Sequence, residues 1–401
     1  MVNNGEGRLF SQKNVALIIE SSNDYARKTL HGICKFLREN KHWSIFFYEH
    51  ERGNTNLARF EHWKGDGIIA RIENKTIANS VKRKNLPTVD LSSFRFLPEI
   101  PYVETDDLEY AHCAANHLLA RGFKNFAYCG DSKYNWSKLR EKYFVQYINK
   151  QGYSCDVFDT DRYRDSEVNV HNKMMQWVQS LPKPVGIMAC FDNQGHTLLE
   201  ACRMAKVKVP YSVAVIGCDN DELVCELSEP SLSSIIPNAV MIGYKAALLL
   251  EKQMNGEVLD SLEYLFGPVG IQTRQSTDVM ATDDKVVMKA LDFIQKNACF
   301  GINVNDVLKQ VHLSRRVFES RFRKSVNKSP HEEILDVKIK YARQLLEKTE
   351  FSIEEIAEKT GFFHPEYFSV AFKRKTLLTP REYRKLNKSS TERTQHTTTV
   401  E

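Results

Sequence analysis

The stretch Val209-Pro210-Tyr211-Ser212-Val213-Ala214-Val215-Ile216-Gly217-Cys218-Asp219-Asn220-Asp221 carries the pattern on which the fold turns. Its apolar run, residues 213–217, reads as a strand buried on both faces, and it stops abruptly at two carboxylates and an amide. Parallel strands look like this because helices cover both sides of their sheet. Toward the N-terminus the unit recurs, with apolar runs at 186–189, 126–129, 88–91, 67–70, 44–48 and 15–19. Helical or turn sequence follows these runs; after 15–19 comes a loop over 20–24, then an amphipathic helix through Leu30, Ile33 and Leu37. Strands alternating with helices predict an α/β architecture with a parallel sheet covered on both faces.

In such sheets a ligand crevice lies beyond the carboxyl ends of the strands. The residues there are Asn23, Asp24 and Tyr25, then Arg71, Trp136 in a loop after Gly130, Asp192-Asn193, and Asp219-Asn220. Carboxylates accept hydrogen bonds from hydroxyls, a guanidinium donates to oxygens, and an aromatic face covers the apolar side of a sugar ring. The set suits a polyol. Neither G-x-x-x-x-G-K nor G-x-G-x-x-G occurs, so no phosphate-cradling loop is expected. Any single Asp at a strand end is more simply a helix N-cap or a turn former; several at successive strand ends favour a ligand cleft.

The chain has 401 residues, 42% apolar and 27% charged, which suits two or three well-cored domains. The N-terminus opens polar, its first apolar run is too short for a signal-peptide core, and no segment reaches the ~18 apolar residues of a membrane span. A cytoplasmic protein without membrane contact is expected. Nine cysteines, without a C-x-x-C pair, read as reduced thiols rather than as disulfides or a metal site. Neither cofactor nor metal is implied. The net charge of +5 is unevenly placed: residues 284–388 hold 22 Lys+Arg against 14 Asp+Glu, a net of +8. With −1 in the tail, residues 1–283 carry −2. A basic module joined to a near-neutral body points to a polyanion partner for the module.

Within the basic module the strand signals stop. Val286-Val287, Ala290-Leu291 and Ile294 mark one helix, and Leu335, Ile339, Ala342 and Leu346 form one apolar stripe on a longer one. An imperfect repeat of 50 residues flanks the long helix. Phe318 and Phe322 recur as Phe368 and Phe372, Arg323-Lys324 as Lys373-Arg374, and Ser329-Pro330-His331-Glu332 as Thr379-Pro380-Arg381-Glu382. The last pair are capping boxes with Pro at the first helical position. Each repeat reads as helix, tight turn, helix: 304–310, a turn at 311–313 and a helix from Ser314; then 352–360, a turn at Gly361 and a helix from about His364. A helix-turn-helix sets its second helix in the major groove of double-stranded DNA. Arg315, Arg316, Glu319, Ser320 and Arg323 take the outer face of the first such helix, while Phe318 and Phe322 take the core face. His364, Glu366 and Ser369 do so on the second, with Lys373, Arg374 and Lys375 near phosphates. Singly, each of these charges is more simply a solvated surface group.

Trp63-Lys64-Gly65-Asp66-Gly67-Ile68-Ile69, Gly122-Phe123-Lys124-Asn125-Phe126-Ala127-Tyr128 and the opening stretch resemble LacI-type sensor domains. Pro230-Ser231-Leu232-Ser233-Ser234-Ile235 and Gly243-Tyr244-Lys245-Ala246-Ala247 extend the resemblance over about 265 residues. It implies a two-lobed type I periplasmic-binding-protein fold, crossed three times by the chain, near Asp106, near Pro237 and near residues 256–263. It also implies an effector cleft at Tyr25, Arg71, Trp136, Arg140, Asp192, Asp219 and Asn238. LacI-type repressors begin with a helix-turn-helix, whereas this chain starts almost at its first sensor strand.

The basic module resembles the AraC/XylS DNA-binding domain through Ile356-Ala357, Gly361-Phe362, Tyr367-Phe368, Phe372-Lys373-Arg374 and Thr379-Pro380-x-Glu382-Tyr383-Arg384. Two customary glycines are replaced. His312, in the first turn, tolerates positive φ better than most residues; Leu377 is expected to reshape its loop. A sugar sensor ahead of an AraC-type module resembles the bacterial xylose-operon regulators. The implied organisation is a sensor over 12–276, a linker over 277–284, a DNA-binding domain over 285–388 and a disordered polar tail over 389–401. The implied partners are operator DNA, a neutral monosaccharide such as D-xylose, a second copy in a homodimer, and RNA polymerase. Three alternatives stay open: a glycosidase using Asp192 and Asp219, a sugar-transport protein, and a regulator with a degenerate cleft. The 50-residue basic repeat argues against the first two.

Overall fold

Strand β1 (Asn14–Ile18) shows why the N-terminal part folds as it does. Val15, Leu17 and Ile19 join the core under helices, while Ala16 and Ile18 join a second core on the other face. The computed structural model describes residues 12–40, 43–47, 57–282 and 284–386. The chain divides into two compact units, Met1–Val279 and Met280–Glu401.

In the first unit β1 is followed by α1 (Asp24–Glu39), β2 (Ser44–Phe47), α2 (Ala58–His62), β3 (Gly67–Ala70), α3 (Lys75–Lys84), β4 (Thr88–Asp90) and β5 (Tyr102–Thr105). The chain then crosses to a second lobe. This lobe comprises α4 (Asp107–Leu119), β6 (Asn125–Gly130), α5 (Asn135–Lys150), β7 (Cys155–Asp159), α6 (Glu167–Ser180), β8 (Val185–Ala189), α7 (Asp192–Met204), β9 (Val213–Cys218), α8 (Glu222–Leu227) and β10 (Ser233–Ile236). It returns through α9 (Ala239–Met254) and β11 (Glu263–Phe266), and crosses again to β12 (Gly270–Gln272). The two sheets have the orders β11-β5-β4-β3-β1-β2 and β12-β10-β9-β8-β6-β7. Neighbours run parallel, except that β12 is antiparallel to β10.

The third crossing therefore spans 267–269, not 256–263. The Gly256 turn only joins α9 to β11 inside the first lobe, because β11 pairs with β5 there. Trp136 also differs from expectation: it lies in the first turn of α5 rather than in a loop. Strands β5, β7, β10, β11 and β12 escaped the apolar pattern. β5 and β10 bury polar residues (Glu104, Thr105, Ser233, Ser234), while β7, β11 and β12 are sheet-edge strands and largely half-exposed.

The second unit is helical: α10 (Lys285–Asn297), α11 (Val304–Val311), α12 (Arg315–Val326), α13 (Pro330–Lys348), α14 (Ile353–Lys359), α15 (Pro365–Thr376), and a further helical segment from Pro380. Capping boxes at Asn303/Asp306, Ser329/Glu332 and Ser352/Glu355 start α11, α13 and α14. Leu335, Ile339, Ala342 and Leu346 are buried with Ile356, Ala357, Phe368 and Phe372. Between α11 and α12, His312 takes the left-handed conformation at φ 51°. Between α14 and α15, Gly361 has φ 72°, and a Cβ there would lie 2.5 Å from the Cys299 carbonyl oxygen, so glycine is required twice over. Leu377 corrects an expectation. It adopts φ 66° at the end of α15, and its N–H bonds the Lys373 carbonyl, so leucine occupies the left-handed cap itself. The end of the 44–48 strand at Tyr48, residues 387 and 388, and the 389–401 tail lie outside the described residues.

Candidate functional site

The loops at the carboxyl ends of the strands enclose a cleft of about 560 Å³ between the two lobes. That lies within the usual range for small-molecule sites. Tyr25, Arg71, Trp136, Arg140, Asp192 and Asp219 all line it. Asn238 is not among its lining residues; it forms the N-cap of α9, at the second crossing.

Each lining residue is placed by local chemistry. Asn23 caps α1 by accepting from the Ala26 N–H at 2.8 Å, which sets Tyr25 in the first turn. The Tyr25 hydroxyl donates to Glu104 Oε1 at 2.9 Å, and the Arg71 guanidinium lies 5.4 Å from the Tyr25 ring. Arg71 Nε bonds Glu73 at 3.0 Å, and its Nη1 is 3.7 Å from Glu20. In the second lobe, Arg140 Nε donates to Asp107 Oδ1 at 2.8 Å and Nη1 to the Cys190 carbonyl at 2.7 Å. Its guanidinium stands 5.0 Å from both the Trp136 and Tyr110 rings. Both buried arginines are thus held by carboxylates; Arg27, on the rim, donates to the Ser21 carbonyl.

Asp192 shows the cost of burial. Its Oδ1 accepts from Ser234 Oγ at 2.5 Å and its Oδ2 from the Asp221 N–H at 2.8 Å. Burial raises its carboxyl well above the usual range, the neighbouring Asp219 charge adds to this, and those hydrogen bonds oppose it. Gly217 makes the arrangement possible, because a Cβ there would fall 2.3 Å from Asp192 Oδ1. Asp219 and Asn220 follow with φ of 97° and 45°, conformations that L-residues rarely take. The N-cap alternative applies at Asp221, which accepts from Val224 N, and not at Asp192.

Glu104 was missed in the sequence. It is buried on β5 and lines the cleft; burial raises its carboxyl, opposed by Arg71 and by its bonds to Thr105 N and Tyr25. Its Oε2 has no hydrogen-bond partner among the described residues. The signal was a carboxylate in Val103-Glu104-Thr105 at a strand end, hidden by a run too polar to read as a strand. Tyr134, stacked 5.1 Å from Trp136, and Phe191, edge-on at 5.7 Å, complete an aromatic wall.

On the helical unit, Phe318 and Phe322 are buried, and Arg315, Arg316, Ser320 and Arg323 are exposed on α12. Glu319 is half-buried and accepts from Arg315 Nε at 2.8 Å. On α15, Glu366, Lys373 and Arg374 are exposed, as is the N-cap His364, while Ser369 is half-buried and donates to the Pro365 carbonyl of its own helix at 3.1 Å. Lys375 pairs with Asp336 at 2.6 Å. Val317, Tyr367 and Val370 are exposed on the same two helices, an apolar component that attention to charge overlooked. Such side chains suit thymine methyl groups.

Three family models match the chain: the XylR N-terminal domain at residues 14–108, a periplasmic binding protein-like domain at 115–277, and a helix-turn-helix domain at 307–386. The Haemophilus influenzae xylose operon regulatory protein is 32% identical, over 92% of this chain and 97% of its own length. The Escherichia coli K12 xylose operon regulatory protein is 31% identical, over 94% and 99%. A solved structure described as the xylose-binding transcription activator XylR superposes with a TM-score of 0.79, at 31% identity, covering 94% of this chain and 99% of that one. The resemblance thus runs from the first sensor strand to the last helix-turn-helix, and the chain belongs to the xylose operon regulatory protein family.

Proposed function

We propose that the chain is a sugar-responsive, DNA-binding transcriptional regulator of xylose utilisation, with residues 12–276 sensing the sugar and 285–388 binding DNA. The carrying observation is the cleft's acceptor chemistry. Glu104 Oε2 is buried without a donor among the described residues, Asp192 and Asp219 stand across from it in the other lobe, and both buried arginines already serve carboxylates. A phosphate or sugar acid would need an unclaimed buried cation, whereas a neutral polyol supplies the hydroxyl donors that carboxylates bind. The Trp136, Tyr134 and Phe191 wall suits the C–H face of a pyranose. D-xylose is the ligand this reading favours, in keeping with the relatives' names.

The exposed residues of α12 and α15 suit two successive major grooves, about 34 Å apart. Among the residues on those faces, Arg315, Arg316, Glu319, Ser320, Arg323, His364, Glu366, Ser369, Lys373 and Arg374 are the proposed DNA contacts. In this reading the regulator acts as a homodimer in the cytoplasm and activates transcription by contact with RNA polymerase. Sugar shifts the dimer between two arrangements through its differential affinity for them.

A thermal-shift screen against neutral pentoses, hexoses and polyols tests the sensor. A ligand at ~100 times its Kd stabilises by about 2.7 kcal/mol. The reading expects a shift with D-xylose that Asp219→Ala abolishes. A shift only with acidic or phosphorylated sugars, or an unchanged response in Asp219→Ala, would overturn it.

A further inference from the structure

We infer that Lys28 and Asn135 form a two-point clasp between the lobes, setting effector affinity without touching the effector. Lys28, on α1 of the first lobe, donates from Nζ to the Asn220 carbonyl of the second at 3.3 Å. Asn135, at the start of α5 in the second lobe, donates from Nδ2 to the Ser93 carbonyl of the first at 2.7 Å. None of the four residues is among those lining the cleft. The anchors lie apart. Lys28 follows β1 and Ser93 follows β4, two strands away in one sheet, while Asn135 follows β6 and Asn220 follows β9, two strands away in the other. The strands that precede the two anchors of each lobe lie roughly 10 Å apart. Two separated bonds resist hinge opening better than one.

Each clasp is wired to a cleft residue. Lys28 Nζ also pairs with Asp24 at 2.5 Å, and Asp24 lines the cleft. The Asn220 carbonyl sits in the strained Asp219-Asn220 turn. Ser234 Oγ holds that turn by accepting from the Asn220 N–H at 3.0 Å while donating to Asp192. A ligand that engages Asp192 or Asp219 therefore acts on the same hydrogen-bonded unit that presents a carbonyl to Lys28. Asn135 immediately precedes Trp136, so the second clasp fixes the lobe position at which the aromatic wall meets the first lobe. Closure and ligand contact are coupled through one residue on each side, and both residues act by positioning.

This rests on the cleft being the effector site, and the experiment separates the two. Lys28→Met and Asn135→Ala are made singly and together in the full chain, with Lys28→Arg as the conservative control. D-xylose affinity and dissociation rate are measured alongside an inter-lobe distance, read from labels at the exposed positions Lys82 and Lys173. Each single variant is expected to weaken binding by about threefold to tenfold through faster dissociation, consistent with one lost hydrogen bond. The double variant loses more, Lys28→Arg restores most of the Lys28 effect, and the sugar-free distance distribution shifts toward open in every clasp variant. Wild-type dissociation rates together with an unchanged sugar-free distance would overturn the clasp. If the wild-type chain binds no sugar, the effector reading fails; the sugar-free distances then decide the clasp alone, widening in support or standing unchanged in refutation.

Discussion

Replacing Arg140 with methionine probes a buried charge pair at the wall of the cleft. Arg140 and Asp107 are 4% and 5% exposed, and the side-chain bond between them is 2.8 Å long. Methionine keeps the apolar stem but removes the guanidinium donor from the Cys190 carbonyl and from the Asp107 carboxyl, which keeps only the Thr105 hydroxyl at 3.3 Å. The cost depends on pH. Burial raises Asp107 to about 7 even with Arg140 beside it, so in the folded wild type it binds a proton below that pH. Below pH ~7 both wild type and variant hold a neutral acid, and the deficit is the loss of two guanidinium hydrogen bonds, about 2–4 kcal/mol. Without Arg140 the Asp107 pKa rises further. Above pH ~7 the variant therefore keeps losing stability where the wild type has levelled off, by up to about 1.4 kcal/mol per pH unit. Urea unfolding of the sensor unit in the full chain, at pH 6 and pH 8.5, should show the deficit growing by about 2 kcal/mol. Adding Asp107→Asn should remove the growth and leave the pH-independent part. A deficit equal at both pH values, or one whose pH dependence survives Asp107→Asn, would refute this reasoning.

Further outcomes follow from single features. Asp90 is buried with Oδ2 unpartnered among the described residues, and burial raises it to about 8 against the Ile72 N–H bond that lowers it. The folded state therefore binds a proton the unfolded chain releases, and stability falls as pH rises from ~4 to ~8; in urea unfolding, Asp90→Asn should flatten that decline, and parallel curves would contradict it. Leu377→Gly should stabilise the helical unit by about 0.5–1 kcal/mol, because left-handed strain at an 83%-exposed leucine outweighs the extra chain entropy of glycine. Thermal unfolding of that unit reads the sign directly. Gly217→Ala should displace the Asp192 carboxyl and remove the sugar-induced thermal shift, since the new Cβ has only 2.3 Å to Asp192 Oδ1. A retained shift would mean that Asp192 does not hold the ligand.

The sequence was most legible where packing dictates pattern. The central strands β1, β3, β8 and β9 are buried on both faces and read as unbroken apolar runs, and the phenylalanines of α12 and α15 repeat because each helix buries one edge-on pair of rings, Phe318 with Phe322 and Phe368 with Phe372, the second pair packed on the stripe of α13. Legibility failed where function or an edge replaces apolar residues. β5 and β10 carry Glu104 and Ser234 into the cleft region, so the polar residues that build the site also hid the strands that hold them. Six of the seven expected cleft residues meet at one cavity because strand ends in a parallel sheet converge by topology. Asn238 does not, since a hinge residue and a lining residue are both near a crossing and spacing cannot separate them. Leu377 failed differently: a conformational strain of about 1–2 kcal/mol is tolerated once a hydrogen bond and a helix end fix the turn.

The most direct test of the whole account is DNA affinity with and without D-xylose. The full chain is titrated at one fixed salt concentration onto a duplex selected from a random pool, because phosphate contacts make affinity salt-dependent. The account predicts that saturating D-xylose changes the wild-type affinity at least about fivefold, an ordinary coupling free energy. It also predicts that Asp192→Asn binds the duplex with the sugar-free wild-type affinity and ignores the sugar. DNA affinity indifferent to D-xylose in the wild type, or a full sugar response in Asp192→Asn, would contradict it.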